Sequence, residues 1–282
     1  VAICCRLIFI YPNYYCMRKL IFLYFLIIVT SCKKEVTVRQ TAIPTAVLQK
    51  IEALGFNAAD VQRFQGDYLV EGDIRLSEAD LNKPANGPYL RIAGTEQYRT
   101  SNLVTGTPRT ITIKVASSLG SAFVAGTDTA IARFNSLGIS LTFVRITTGT
   151  ADITISGFNQ GPSGGSITYA SSGFPSSSGN PYPTILLNTN SAAFGSNPNV
   201  LFVASVIQHE IGHCIGFRHS DCLDRSFSCG GTSVNEGSGG VGAILIPGTP
   251  SAPDANSWML ACNNVGNRTF NANDRIALNY LY

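Results

Sequence analysis

Histidine, methionine and charge are scarce in this chain. Only 13% of its 282 residues are charged against 45% hydrophobic, which excludes the charge-rich, apolar-poor composition of a disordered polypeptide. The formal charge is +3, and all of that excess lies ahead of Thr107, so the basic balance gives no evidence for nucleic acid and no such partner is expected. Methionine occurs twice, at Met17 near the start and at Met259. Histidine occurs three times, and all three lie between positions 209 and 219.

Those histidines organise the rest. The segment reads His209-Glu210-Ile211-Gly212-His213-Cys214-Ile215-Gly216-Phe217-Arg218-His219. On a helix His209 and His213 share one face, so both imidazoles reach one metal, with Glu210 beside them to activate its water. Gly216 lets the backbone leave the helix abruptly and bring His219 round as a third ligand. Three protein ligands and one open position are the arrangement of a catalytic zinc, since structural zinc sites usually close all four. One catalytic Zn2+ is expected. No stretch carries a calcium-loop pattern, so structural Ca2+ is left open and is not indicated.

The extended pattern HExxHxxGxxH resembles that of the metzincin metallopeptidases, and HEIGH followed by a glycine and a third histidine resembles the bacterial HEIGH-type branch. That resemblance implies a methionine turn beneath the zinc, for which Met259 in Asn256-Ser257-Trp258-Met259-Leu260-Ala261-Cys262 is the candidate. Members that place a switching tyrosine two residues after this Met differ from this chain, which has Ala261 there. The implied activity is a zinc-dependent endopeptidase acting on protein or peptide, with Glu210 as general base and then acid. Two other readings compete: a surface lipoprotein that uses zinc only to hold a binding or adhesion fold, and hydrolysis of a non-protein amide. Ligation needs neutral imidazoles, so activity is expected to fall at acid pH.

At the start, Met17-Arg18-Lys19 precedes an uncharged run from Leu20 to Val29 that ends Val29-Thr30-Ser31-Cys32. The run is too short to span a bilayer core of roughly 30 Å. It reads as a secretory signal over 17–31, with Val-Thr-Ser-Cys resembling a bacterial lipobox in which Cys32 is lipidated. Residues 1–16 read as an upstream mistranslation of the gene. Export to the outer membrane of a bacterium is expected, with the lipid on Cys32 as the membrane contact and the cell surface or release as the destination. The body is expected to be monomeric.

Residues 32–107 are expected to be a tether and a pro-segment that packs on the catalytic part. A helix is expected over Thr45 to Leu54, a second from Asn57 carrying Val61 and Phe64, and a strand over Tyr68 to Ile74 broken at Gly72. No cysteine lies between Cys32 and Cys214, which excludes a cysteine blocking the zinc. Phe64-Gln65-Gly66-Asp67 matches the Phe-x-Gly-Asp motif of astacin pro-segments, which makes Asp67 a candidate switch, and Asp73 in Glu71-Gly72-Asp73 is its rival.

Residues 108–282 are expected to form the catalytic domain. Strands are expected over Thr110 to Val115, Ser140 to Ile146, Asp152 to Ser156 and Thr184 to Asn188. A helix is expected over Thr127 to Leu137, capped by Thr127 or Asp128 and stopped at Gly138. Ala151-Asp152-Ile153-Thr154-Ile155 resembles the ADI-x-I segment of matrixins. By position in that fold, Ser166, Ile167, Thr168, Tyr169 and Ala170 are the antiparallel edge to which an extended substrate adds. The active-site helix is expected to start at Asn197-Pro198. A closing helix over Asn271 to Tyr282 is expected to pack through Ile276, Leu278, Tyr280 and Leu281. Cys214, Cys222, Cys229 and Cys262 allow three disulfide connectivities, with Cys222–Cys229 and Cys214–Cys262 favoured. The fold class is thus α+β. The resemblance implies a twisted mixed five-stranded sheet, two long helices above the cleft, and a small loop-rich lower subdomain with a C-terminal helix.

Overall fold

The computed structural model describes residues 42–82, 97–237, 241–250, 253–262 and 266–282. The signal at 17–31, Cys32 and the stretch 1–16 lie outside the described residues. Among the described residues no helix is long and apolar enough to cross a membrane.

The first described element is α1 (Thr45–Ala53), which turns Val47 and Ile51 inward. The expected second helix does not form. Gln62–Phe64 is instead β1, paired antiparallel with β2 (Asp67–Val70), which pairs in turn with β3 (Ile74–Leu76). Val61 and Phe64 fit a helical period locally, but Gln65 and Gly66 take φ of 50° and 89°, which reverses the chain. Phe64 then packs edge-on against Phe158, with ring centroids 4.8 Å apart. Ser77 caps the short α2 (Glu78–Leu81). These elements enclose a small core of Ile51, Leu54, Phe56, Tyr68, Val70, Ile74, Leu76 and Leu81, completed by Phe174 and Val241 from later in the chain. The segment from Thr45 to Leu81 is therefore docked on the histidine-bearing part of the chain.

Next, β4 (Tyr98–Arg99) threads past the end of the histidine helix. The Thr100 amide donates to Gly216 O at 2.8 Å, and the Arg218 amide donates to Tyr98 O at 2.9 Å. The main sheet contains β5 (Arg109–Val115), β6 (Leu141–Ile146), β7 (Ile153–Phe158), β8 (Ala170–Ser171) and β9 (Thr184–Asn188), in the order β6-β5-β7-β9-β8. Its first four strands in that order pair in parallel, and β8 is antiparallel to β9. Strand alternation turns Ile111, Ile113, Ile153, Ile155, Ile185 and Leu187 into the core, where each buried side chain contributes about 1.5–3 kcal/mol.

Covering this core is α3 (Ser121–Asn135), which begins after Gly120 and well before Thr127. Thr127 bonds back to Phe123 O within the helix, and Asp128 pairs with Arg145 of β6 at 2.6 Å, so neither is a cap. After α4 (Ser191–Phe194) comes α5 (Val200–Ile215). Its cap is Asn199 rather than Asn197, because the Asn199 side-chain oxygen accepts from both Leu201 and Phe202 amides. The two long helices pack on each other and on the sheet, and Phe134 of α3 meets Trp258 and Phe270 at 5.6 and 4.9 Å.

The remainder is mostly loop, with α6 (Ser226–Cys229), β10 (Ile244–Leu245) paired antiparallel with β4, and α7 (Ala272–Leu281). Asn271 caps α7 and Asp274 bonds back to it. Ala277 and Leu278 are its buried apolar residues. Ile276 and Tyr280 are 43% and 57% exposed, contrary to expectation, because the buried stripe runs through Asp274, Ala277 and Leu278. The disulfide joins Cys229 to Cys262, replacing both favoured pairings. Cys214 is held in the main core and Cys222 in a small cluster with Tyr98 and Ala243, each as a buried thiol.

Candidate metal centre

Helix α5 is buried on nearly every side, so its two histidines sit on a rigid support. It ends at Gly216, whose φ of 113° a residue with Cβ would adopt only with strain. The Gly216 and Phe217 amides both bond back to Gly212 O, closing the helix and redirecting the chain. The Arg218 amide then pins the new direction on β4, and His219 arrives beneath the other two. A Cβ on Gly212 would stand 2.6 Å from both Met259 Sδ and the Trp258 ring, so the fully buried Met259 lies directly under the histidine helix.

The three Nε2 atoms converge. His213 Nε2 is 3.0 Å from His209 Nε2, and one carboxylate oxygen, Oδ2 of Asp73, lies 3.3, 3.7 and 3.0 Å from His209, His213 and His219. These four donor atoms fall within 4.8 Å of one another. Neighbouring ligands around a tetrahedral zinc, with Zn–N near 2.0–2.1 Å, would stand about 3.3 Å apart.

The opposite ring nitrogens decide the tautomers. His209 Nδ1 faces Trp258 O at 3.0 Å and His213 Nδ1 faces Phe217 O at 2.9 Å. A carbonyl oxygen only accepts, so both Nδ1 atoms carry the proton and both Nε2 atoms present a lone pair. His219 Nδ1 meets the Glu236 carboxylate at 2.9 and 3.0 Å, so its Nδ1 also carries a proton and its Nε2 is turned to the same point as the others. Burial pushes His213 down to about 4, which keeps it neutral. Burial works the same way on His219, but the Asp73 and Glu236 carboxylates outweigh it and hold that residue high. Burial also opposes ionisation of Asp73, yet the neighbouring His219 outweighs it and keeps it well below the usual carboxylate range. Three ring nitrogens and an anion converging on one point fit a divalent cation, which would displace the proton held by His219, and the nitrogen-rich set suits zinc.

Glu210 lies beside this point, buried, with Oε2 accepting from Ser172 Oγ at 2.6 Å. Burial and the neighbouring Asp73 raise its pKa well above the usual range, with Ser172 pulling it back. Nothing in the Gly/Ser-rich sequence around Ser172 marks it, and the same holds for Glu236. Arg218, the residue before His219, has as its buried partner Glu71, from far earlier in the chain.

The two candidate switches separate. Asp67 pairs with Arg75 across the β2–β3 hairpin and stays away from the histidines. Asp73, in the hairpin turn, enters the histidine cluster. The hairpin is held there by backbone, since the Ser172 amide donates to Asp73 O at 3.0 Å and the Arg75 amide to Ser172 O at 2.8 Å.

Of the expected edge Ser166 to Ala170, only Ala170 is in a strand; β8 is shifted to Ala170–Ser171. Asn188 takes up the preceding backbone, donating to Thr168 O and Gln160 O, while Ile167 and Tyr169 pack on the core. Ser166 to Ala170 instead line a cleft of about 680 Å³ that also touches Asp73, His209, Glu210 and Leu260 to Cys262. Asp221 braces the floor, its carboxylate accepting from the Ala261 amide at 2.9 Å and from Ser228 Oγ at 2.6 Å.

Residues 69–282 match the family of dual-action HEIGH metallo-peptidases. No curated protein matches. Similar solved structures include two of myroilysin. One is 16% identical, covers 61% of this chain and 79% of that one, and has a TM-score of 0.38. The other is 14% identical, covers 83% and 93%, and also has a TM-score of 0.38. A third is high choriolytic enzyme 1, a hatching-enzyme zinc-protease from the medaka fish Oryzias latipes, at 20% identity, 49% and 56% coverage and a TM-score of 0.27.

Proposed function

We infer that this chain, which belongs to the dual-action HEIGH metallo-peptidases and is a zinc metallopeptidase, cuts internal peptide bonds of proteins with Glu210 as base and acid. The observation that carries this reading is the locking of all three Nδ1 atoms on acceptors, which turns three Nε2 atoms to one point beside Glu210. His209, His213 and His219 would hold the zinc. When bound, it supplies Lewis acidity and a water of lowered pKa.

The chain's own groups supply the proton movements. Glu210 Oε1 or Oε2 takes the proton of the attacking water and delivers it to the leaving amine, and burial, with Asp73, raises its pKa above the ordinary carboxylate range. Ser172 Oγ fixes the carboxylate in place. A peptide lying along β8 and Ser172 would hydrogen-bond through its backbone, as the hairpin residues Asp73 and Arg75 do.

Residues 32–107 act as tether and pro-segment in this reading, and Asp73 is its blocking group. Asp67 is assigned to holding the hairpin together. The protein is exported and lipid-anchored through Cys32, which intact-mass analysis of the mature N-terminus would check.

The function is tested with purified wild type and Glu210→Ala, each loaded with zinc, trimmed by limited proteolysis and incubated with denatured protein. Cleavage by wild type alone, at equal zinc content, supports the reading. Zinc in both and cleavage by neither would leave a zinc-stabilised binding module.

A further inference from the structure

The hairpin turn carries a second carboxylate, and it enters a different pocket. Glu71 lies two residues before Asp73, and its Oε1 pairs with Nη2 of Arg218. Both side chains are buried, at 1% and 0% exposure. Arg218 is held rigidly from its other side, with Nη1 donating to Gly237 O at 2.6 Å and to Gly242 O at 3.2 Å. Its Nε has no partner among the described residues. The turn is bent to make this contact, since Glu71 takes φ of 55°. A second guanidinium borders the same turn: Arg225 Nη2 would stand 2.5 Å from a Cβ on Gly72, and Arg225 also lines the cleft.

The hairpin supplies one of the two carboxyl groups that reach the guanidiniums of this corner. Two guanidiniums, Arg218 and Arg225, face two carboxyl groups, Glu71 and Glu236, and burial raises Glu71 to about 8 although Arg218 works to lower it. Glu236 is committed to His219 and stands 3.9 Å from Arg218, beyond hydrogen-bond reach. With the hairpin withdrawn, Arg218 Nη2 loses its carboxyl partner, and a buried guanidinium donor without an acceptor is unfavourable. The opening left by Glu71 adjoins the metal site through Gly72 and Asp73, both of which line the cleft.

We propose that the Arg218 pocket, with Arg225 at its mouth, is a substrate subsite for an acidic side chain within two residues of the bond to be cut. Glu71 holds that place in the latent chain, as Asp73 holds the place of the reacting carbonyl. This assignment rests on the peptidase reading and names the substrate class for the same site. Planar guanidinium recognition of a carboxylate is more selective than bulk charge, so glutamine does not replace glutamate.

The test uses zinc-loaded protein trimmed by limited proteolysis and matched peptides that carry Glu or Gln at each position within two residues of one scissile bond. The expected result is kcat/KM about 10-fold or more higher for Glu at one of those positions. That ratio is expected to fall towards one in Arg218→Gln and to shrink in Arg225→Gln. A ratio near one at every position in the wild type overturns the proposal, as does a preference that both variants retain. If Arg218→Gln does not fold, the wild-type ratio and Arg225→Gln decide. Cleavage of all peptides without preference leaves the peptidase reading standing and ends this one, whereas no cleavage of any peptide ends both.

Discussion

The carboxylate of Glu236 accepts from Nδ1 of His219 at 2.9 Å, from a loop seventeen residues further along the chain. It orients the ring and, in the proposed zinc site, would strengthen it as a ligand. Partners of this kind typically change metal affinity 10–100-fold when removed. Glu236→Ala is therefore expected to weaken zinc binding by about that factor in a chelator competition, and Glu236→Gln by less. Equal zinc affinity in all three proteins would rule out this role.

Ser172 connects Glu210 to the Asp73 hairpin. Its hydroxyl holds Glu210 at 2.6 Å while its backbone pairs with the hairpin residues. Ser172→Ala keeps the backbone and removes the hydroxyl. Trimmed Ser172→Ala is expected to keep its zinc and its KM and to lose about 10-fold in kcat, the cost of one hydrogen bond to a charged group. A loss confined to KM would assign Ser172 to binding alone.

Asp152 clips the main sheet. Its carboxylate accepts from the Thr112 amide at 2.8 Å and hydroxyl at 2.6 Å, joining β5 to the start of β7. Burial works to raise its pKa, but the Thr112 donors and Arg109 outweigh it and hold it below 3.8. The folded state thus prefers the ionised form, so this contribution is full above the ordinary value and is lost as pH falls through the lower folded value. Asp152→Ala is expected to cost about 1 kcal/mol near neutrality, with the gap to wild type closing as the carboxyl protonates in acid. A gap in unfolding midpoint that stays constant with pH would contradict the assignment.

The Cys229–Cys262 bond ties α6 to the segment after Met259 across a separation of 33 residues. Cys229→Ser is expected to lower stability by about 2–4 kcal/mol, read from denaturant unfolding. Cys222→Ser is not expected to mimic it, since that thiol is buried in a separate cluster. Equal losses in the two variants would point to core packing rather than to the cross-link.

The histidine cluster was legible because it is local: one helical turn and one glycine exit bring His209, His213 and His219 together. Strands β5, β6, β7 and β9 were legible from alternating apolar residues. What escaped depends on partners distant in the chain. Val61 and Phe64 suit a helix until β2 folds back on them. The cap at Asn199 is one of two asparagines near the helix start. Ser166 to Ala170 reads as a strand, yet Asn188 takes its backbone bonds. Glu236 and Ser172 lie in Gly/Ser-rich loops without a periodic pattern, and only the fold carries them to His219 and Glu210. Glu71 and Asp73 were visible as acidic residues, but their two destinations depend on the hairpin turn.

A peptidase site blocked by Asp73 and driven by Glu210 is tested most directly by removing the two carboxylates in turn. Untrimmed wild type, Asp73→Ala and Asp73→Ala/Glu210→Ala are compared for zinc content and digestion of denatured casein. Zinc in all three and digestion by Asp73→Ala alone is the predicted result. An Asp73→Ala protein as silent as wild type, or a double variant as active as the single one, would contradict it.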